Sequence, residues 1–111
     1  MQITQLDPNF SVSPQIQTAD VAEVAAAGFT ALINNRPDGE APDQPKSSEI
    51  EAEAKRHNLR YWHIPIVPGG ITDEDARRLA AALQGVEGPV MAYCRSGARS
   101  TSLWKAAQQI S

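Results

Sequence analysis

Short apolar runs alternate with longer amphipathic stretches along this chain, and the alternation predicts strands separated by helices. The segments 10–17, 30–34, 59–67 and 89–93 are short, rich in apolar residues and bounded by turn-forming residues, as strands are. The run at 89–93 is apolar throughout, which is typical of a central strand in a parallel sheet. Pro14 interrupts the first segment, so we expect that strand or hairpin to lie at a sheet edge.

Two helices are predicted in the first half of the chain. The first follows Thr18, whose hydroxyl can cap it, and ends near Gly28. The second is expected to run to about residue 58, because Ser48 and Glu51 have the spacing of a capping box. Each helix would connect one predicted strand to the next.

Two more helices are predicted in the second half. Thr72 and Asp75 form another capping-box pattern, and the last helix is expected to start near Arg99. The apolar residues that would face inward from these helices are Ala76, Leu79, Ala80, Leu83, Leu103, Ala106, Ala107 and Ile110. The alternation predicts an α/β domain with a mostly parallel central sheet and helices on both faces. Ligands bind such sheets beyond the carboxyl ends of the strands, where Cys94 follows an apolar run.

Composition and charge exclude several classes of function. The 111 residues suffice for a single domain, 1–111, and a net charge of -3 is not the basic footprint of a protein that binds nucleic acid or a membrane surface. No apolar stretch approaches the roughly 20 residues needed to span a bilayer, and the N-terminus has no secretory-signal pattern. The single cysteine excludes an internal disulfide, so we expect a cytoplasmic protein with a free thiol. The histidines and the cysteine lack metal-ligand spacing, and we expect no metal or cofactor.

The candidate chemistry lies in the loop between the last apolar run and the last helix. This loop consists of Cys94, Arg95, Ser96, Gly97, Ala98, Arg99 and Ser100. Backbone N–H groups at a helix N-terminus bind anions and lower a thiol pKa, so we expect Cys94 to be a thiolate nucleophile. Arg99 would hold the substrate anion with its planar fork, Arg95 would meet it, and the other loop residues would bind it. Gly97 allows the tight turn.

Each candidate also has a plainer interpretation. A lone cysteine that ends a core strand is usually a packing residue, but the glycine, second arginine and Ser-Thr helix start that follow favour a nucleophile. In the proline-rich loop 35–46, Arg36 is a candidate to bind the substrate anion, and Asp38 or Glu40 is a candidate for a displaced general acid. The Pro-Asp-Gly sequence around Asp38 is also a ready turn, which is the favoured interpretation of that residue. His63 is expected to be a hydrogen-bonded strand residue rather than a base.

The segments INNRPDGE, YWHIPIV, GGIT and YCRSGARS, in this order, resemble the beta-lactamase-hydrolase-like protein, phosphatase-like domain family of bacteria. The resemblance extends from about residue 10 to residue 104. It implies a fold like that of dual-specificity tyrosine phosphatases, with phosphatase or sulfurtransferase chemistry at Cys94. Some members are fused to persulfide-metabolising domains, so a persulfide-metabolising enzyme is a candidate partner.

The loop departs from the tyrosine-phosphatase pattern in ways that favour sulfur chemistry. Between Cys94 and Arg99 there is one residue fewer than in phosphatases, so Ser100 stands at the phosphatase arginine position. Tyr93 replaces the histidine that normally precedes the nucleophile, and the segment 64–70 lacks the usual acidic general acid. Rhodaneses have a similar Cys-Arg-x-Gly-x-Arg loop, and sulfur transfer needs no acid because sulfite or a low-pKa thiolate leaves unaided.

Three hypotheses about function remain at this point. The first is rhodanese-type sulfane-sulfur transfer through a Cys94 persulfide, with thiosulfate or a persulfide as the donor and a thiol as the acceptor. The second is a nonclassical phosphatase that forms a Cys94 phosphoenzyme from a phosphate ester. The third is a non-enzymatic anion or persulfide sensor. The loop spacing favours sulfur transfer, whereas the resemblance in fold favours the phosphatase.

Overall fold

In the computed structural model, which describes residues 1–110, five short strands form one sheet. The strands are β1 (Thr4–Asp7), β2 (Phe10–Ser13), β3 (Ala31–Asn34), β4 (Arg60–His63) and β5 (Val90–Tyr93). Their order is β1-β2-β5-β3-β4, and only β1 runs antiparallel to its neighbour. The predicted mostly parallel sheet is therefore confirmed, and the apolar run at 89–93 supplies its central strand.

Helices cover both faces of the sheet, as predicted. They are α1 (Val21–Ala26), α2 (Ser47–Arg56), α3 (Asp73–Gln84) and α4 (Ala98–Gln108), and a 3₁₀ turn, Thr18–Asp20, precedes α1. Because side chains alternate along a strand, β5 sends Val90 and Ala92 into one core with α3 and α4. Met91 and Tyr93 enter the other core with α1 and α2, which explains why β5 is apolar throughout. The longest of these helices, α3, has 12 residues and is too short to cross a bilayer.

The prediction that the first apolar strand lies at an edge is wrong. β1, which no apolar pattern indicated, pairs with β2 and places it between β1 and β5. Pro14 follows the last residue of β2, so its missing N–H removes nothing from the ladder. The residues of β1 are exposed or half-buried, and such a strand has little apolar signal. The strand predicted at 59–67 is also shorter than expected, since β4 ends at His63.

The two capping-box predictions had different outcomes. At α3 the prediction is confirmed, since the Thr72 side chain accepts the Asp75 N–H and the Asp75 side chain accepts the Thr72 N–H, both at 3.1 Å. At α2 the box predicted from Ser48 is wrong. The helix is capped from Lys46 instead, and the Glu49 carboxylate accepts the Lys46 N–H at 2.9 Å.

Candidate active site

Cys94 lies where β5 ends and the turn into α4 begins, at the carboxyl edge of the parallel strands. Backbone hydrogen bonds fix both of its neighbours in the chain. The Tyr93 carbonyl accepts the Asn35 N–H at 2.8 Å, and the Arg95 carbonyl accepts the Gln15 N–H at 3.2 Å. Cys94 itself is buried, with 0% of its surface exposed. The predicted position of Cys94 beyond a central strand is therefore confirmed.

Backbone N–H groups of the loop surround the sulfur of Cys94. The Gly97 N–H donates to Sγ over 3.0 Å, and the nearby backbone N–H groups of Ser96 and Ser100 also favour the thiolate. Burial raises the pKa of the Cys94 thiol, but these donors outweigh it, so the pKa lies below its ordinary value. A larger fraction of Cys94 is therefore thiolate at neutral pH than in an ordinary cysteine, and the thiolate is the nucleophilic form.

Ser100 is fully buried next to Cys94, and its hydroxyl is bonded to an asparagine. Asn35 Nδ2 donates to the Ile64 carbonyl at 2.9 Å, which turns Asn35 Oδ1 towards Ser100. The Ser100 hydroxyl donates to that oxygen at 2.8 Å. A serine has one hydroxyl proton, so the hydroxyl that donates to Asn35 cannot also donate to the sulfur. Ser100 therefore favours the thiolate through its backbone N–H. Asn35 was not predicted to belong to the site, and its separation of 65 residues from Ser100 leaves no local signal for the contact.

Gly97 has the backbone conformation that the turn into α4 requires. Its φ is 94° and its ψ is -12°, which is the left-handed region. A Cβ at this position would lie 3.5 Å from the Ser13 carbonyl oxygen, an ordinary contact, so the cost of another residue is backbone strain. The predicted tight turn is confirmed, and it directs the Gly97 N–H to the sulfur.

Replacing Gly97 with alanine is expected to lower the free energy of unfolding by about 1–2 kcal/mol, the usual cost of a left-handed backbone with a Cβ. It is also expected to slow alkylation of Cys94 at neutral pH, because relief of the strain turns an N–H away from the thiolate. Gly28→Ala is the matched control, since Gly28 has a φ of 97° but lies between α1 and β3, at the opposite edge of the sheet. Urea unfolding and iodoacetamide alkylation check both variants, and equal alkylation rates would contradict the role of the Gly97 N–H.

Arg99 extends from the first turn of α4, and a carboxylate binds its guanidinium. Glu40 Oε2 accepts from Nη1 and Glu40 Oε1 accepts from Nη2, both at 2.8 Å. Nη1 also donates to the Ile66 carbonyl at 2.8 Å. The hydrogen bonds to Glu40 raise the pKa of Arg99, and the nearby Cys94 sulfur adds to this effect. The guanidinium is therefore a permanent cation close to both the carboxylate and the sulfur.

Glu40 joins two arginines, because its Oε1 also accepts the Arg36 Nε–H at 2.8 Å. The hydrogen bond from Arg99 is the largest of the causes that lower the pKa of Glu40 to about 2. Glu40 is therefore ionised at neutral pH, and the hypothesis that it is a displaced general acid does not fit this geometry. The contact with Arg99 was not predicted, because 59 residues separate the two in the chain.

The other candidates outside the cysteine loop also have partners of their own. Arg36 is buried, and its Nη1 donates to the Gln15 side chain at 3.1 Å. Asp38 and Gly39 form a turn, as predicted, and the Asp38 carboxylate accepts the Ser47 N–H at 2.8 Å at the start of α2. A contact of Arg36 or Asp38 with substrate stays a prediction. His63, as predicted, is a hydrogen-bonded strand residue, with Nε2 2.9 Å from the Arg36 carbonyl oxygen.

The outer part of the cysteine loop faces solvent. Arg95, Ser96 and Ala98 are exposed, as expected for residues that meet an incoming anion. A cavity of about 420 Å³ opens beside Arg99, and its other lining residues are Pro68, Gly69, Ile71, Ala98 and Ser102. This lining contains no carboxylate. Within residues 1–110, no three His, Cys, Asp or Glu side chains are grouped so as to hold a metal ion.

Solved structures with a similar arrangement of strands and helices have tyrosine-phosphatase-like folds. A candidate phosphatase from Neisseria meningitidis superposes with a TM-score of 0.86 at 33% sequence identity, over 94% of this chain and 74% of that one. P. aeruginosa TpbA, solved in complex with pTyr, superposes with a TM-score of 0.66 at 16% identity, over 91% of this chain and 58% of its own. The predicted tyrosine-phosphatase-like fold is therefore confirmed.

Curated relatives and a family model agree on where the chain belongs. The beta-lactamase hydrolase-like protein of Xylella fastidiosa is 33% identical over 110 residues, which make up 99% of this chain and 26% of that protein. The chain thus spans about a quarter of the length of the curated relatives it matches. Residues 2–111 match the model of the family that the sequence motifs indicated. The chain therefore belongs to the beta-lactamase hydrolase-like protein, phosphatase-like domain family.

Proposed function

We propose that this domain is a cysteine-dependent phosphatase in which Cys94 attacks the phosphorus of a phosphate monoester. One observation carries the proposal: the Cys94 sulfur accepts the Gly97 N–H at 3.0 Å at the start of α4, with Arg99 alongside. Membership of a phosphatase-like family supports phosphoryl transfer. Rhodanese-type sulfur transfer, which the loop spacing favoured, is not confirmed by the relatives.

The reaction would proceed as two displacements at phosphorus. The Cys94 thiolate forms a sulfur–phosphorus bond as the bond from phosphorus to the leaving oxygen breaks, and the leaving group departs as an anion. Water then attacks the phosphorus, the sulfur–phosphorus bond breaks, and inorganic phosphate leaves while the thiolate is restored. The protons of the water go to the phosphate and to solvent. The loop N–H groups and Arg99 would stabilise the charge on the phosphoryl oxygens in both steps.

Neither Glu40 nor Asp38, the two acidic candidates in the loop after β3, is available to protonate the leaving oxygen. Glu40 has a pKa of about 2, the Asp38 carboxylate is bonded to a backbone N–H, and no carboxylate lines the cavity beside Arg99. A phosphatase without a general acid depends on leaving groups that are stable as anions. We therefore propose aryl phosphates, which release a phenolate, over alkyl phosphates as the substrate class.

Hydrolysis of a series of substituted phenyl phosphates at roughly pH 5 to 8 tests this proposal. We expect kcat/KM to rise steeply as the pKa of the leaving phenol falls, because no proton neutralises the departing oxygen. Orthovanadate should inhibit the reaction, and mass spectrometry of the quenched protein should find a phosphoryl group on Cys94. A flat dependence on the leaving-group pKa would contradict the missing acid, and no hydrolysis of any member would contradict the phosphatase.

Rhodanese-type sulfur transfer is a second candidate, because the short spacing from Cys94 to Arg99 favours it. The thiolate would take the sulfane sulfur of thiosulfate as sulfite leaves, and the persulfide would pass this sulfur to an acceptor thiol. Thiosulfate and cyanide should then yield thiocyanate with the wild type and none with Cys94→Ser. A sulfur adduct on Cys94 in place of a phosphoryl group would favour this candidate. A thiol acceptor and a persulfide-metabolising partner enzyme stay predictions that belong to it.

A further inference from the structure

We infer that Glu40 is a positioning residue of the oxyanion site, which holds Arg99 so that one parallel pair of its N–H groups stays open for substrate. The inference deepens the proposed function and rests on it, since the oxyanion is taken to be the phosphoryl group of the substrate. Glu40 acts through the guanidinium in this role and does not touch the substrate.

The hydrogen bonds that Arg99 makes within the protein determine which of its N–H donors remain for a substrate. A guanidinium has about five N–H donors in a rigid plane. Nη1 donates to Glu40 Oε2 and to the Ile66 carbonyl, and Nη2 donates once to Glu40 Oε1, each at 2.8 Å. The Nε–H and the second Nη2–H have no hydrogen-bond acceptor of oxygen or nitrogen in the described part of the chain. These two groups point in parallel from one side of the guanidinium, which is the fork that binds two oxygens of one oxyanion.

The open fork belongs to an arginine that lies near the nucleophile. The bonds to Glu40 and to the Ile66 carbonyl occupy the far end of the guanidinium. The Cys94 sulfur lies near the guanidinium and helps to raise the pKa of Arg99. An oxyanion at the sulfur would therefore find the fork beside it, with no bond to Glu40 to break first.

Glu40 is itself held from two directions. Its Oε1 accepts the Arg36 Nε–H at 2.8 Å, and the Gln44 side chain accepts the Glu40 N–H at 3.1 Å. Arg36 is a buried anchor, because its side chain is 6% exposed and its Nη1 also bonds the Gln15 side chain. A carboxylate fixed in this way restricts the Arg99 guanidinium to one orientation, and such preorganisation lowers the barrier of the step that follows.

If Glu40 instead competed with the substrate for Arg99, removing its charge would have the opposite effect on oxyanion binding. A carboxylate beside the site can compete with the substrate for the arginine, and removing its charge would then tighten oxyanion binding. The open fork favours positioning, because the substrate needs none of the N–H groups that Glu40 occupies.

Glu40→Gln in the full chain tests the inference, because it keeps the size of the side chain and removes its charge. Orthovanadate affinity is measured from the protection of Cys94 against iodoacetamide, alongside kcat and KM for an aryl phosphate. We expect the vanadate affinity and kcat both to fall by about tenfold or more, since a small misplacement of a positioning group has effects of this order. Glu51→Gln is the matched control, since Glu51 pairs with Lys55 on the surface of α2, and it should match the wild type.

Two further variants separate positioning from a merely structural role. Glu40→Asp keeps the charge but is too short to reach both arginines, and it should lie between the wild type and Glu40→Gln. In an Arg99→Lys background there is no fork to position, so Glu40→Gln should have little further effect on kcat.

The possible results for vanadate binding test the positioning role and the proposed function separately. Unchanged or tighter vanadate binding by folded Glu40→Gln or Glu40→Asp would overturn the positioning role. Vanadate binding that depends on Glu40 without any phosphate hydrolysis would overturn the proposed function and leave the positioning role in place. A wild-type protein that does not bind vanadate would overturn both.

Discussion

Replacing Cys94 with serine is expected to lower kcat for aryl phosphate hydrolysis by about 10⁴-fold or more, because an unionised hydroxyl replaces the thiolate. Serine is close to cysteine in size, and the Gly97 N–H that bonds the sulfur can bond a hydroxyl instead. The fold and the binding of vanadate should therefore be retained. The measurement is kcat on a preparation whose urea unfolding midpoint matches the wild type.

The pH dependence of alkylation gives an independent check on the same residue. The pKa of Cys94 lies below its ordinary value, so the rate of alkylation by iodoacetamide should reach half of its plateau at a lower pH than for an unperturbed cysteine. The rate should fall as the pH drops through this pKa, because the thiol is then protonated. A Cys94→Ser variant that keeps kcat within about tenfold of the wild type would mean that another residue is the nucleophile.

Replacing Arg99 with lysine is expected to reduce kcat/KM by about 10²–10³-fold, which is the usual cost of losing a donor to a transition-state oxyanion. Lysine keeps the positive charge, but its ammonium group cannot present two parallel N–H groups to the phosphoryl oxygens. It also cannot reproduce the planar bonding to both Glu40 oxygens and the Ile66 carbonyl. Because the charge remains, we expect the loss mainly in kcat.

Arg56→Lys is the matched control for Arg99→Lys. Arg56 is exposed on α2 and bonds Glu53 at 2.7 Å, so the same change of side chain there should leave kcat/KM as in the wild type. Both variants are assayed with the same aryl phosphate and unfolded in urea, which separates activity from stability. Equal kcat/KM values for the two variants would contradict the role of the Arg99 fork.

The parts of the site that are contiguous in the chain were predictable from local patterns. The apolar run of β5, the turn at Gly97 and the start of α4 close to Arg99 each depend on the conformations of neighbouring residues. The capping box of α3 is local in the same sense and is confirmed. The box predicted from Ser48 failed although its pattern is equally clear, since the chain takes its cap from Lys46 instead.

The expectation of sulfur transfer depended on the spacing of residues in the cysteine loop. The spacing between Cys94 and Arg99 resembles that of rhodaneses more than that of phosphatases. The relatives and the fold support the phosphatase alternative instead. The spacing along the chain does not show which residues bind Arg99. In the structure Arg99 bonds Glu40, which comes from a different loop.

Periodicity, turns, caps and the order of motifs are properties of neighbouring residues, so the fold class, the family, the candidate nucleophile Cys94 and the helix N-terminus behind it could be predicted from the sequence. The groups that surround Cys94, by contrast, depend on the tertiary structure. β3 and β5 are parallel neighbours in the sheet, so the loops that follow them meet at one edge and bring Asn35 to Ser100 and Glu40 to Arg99. Ile66, which follows β4 in the chain, also lies at this edge of the sheet. These contacts depend on the order of strands in the sheet, and no pattern within a single segment of the chain contains that order.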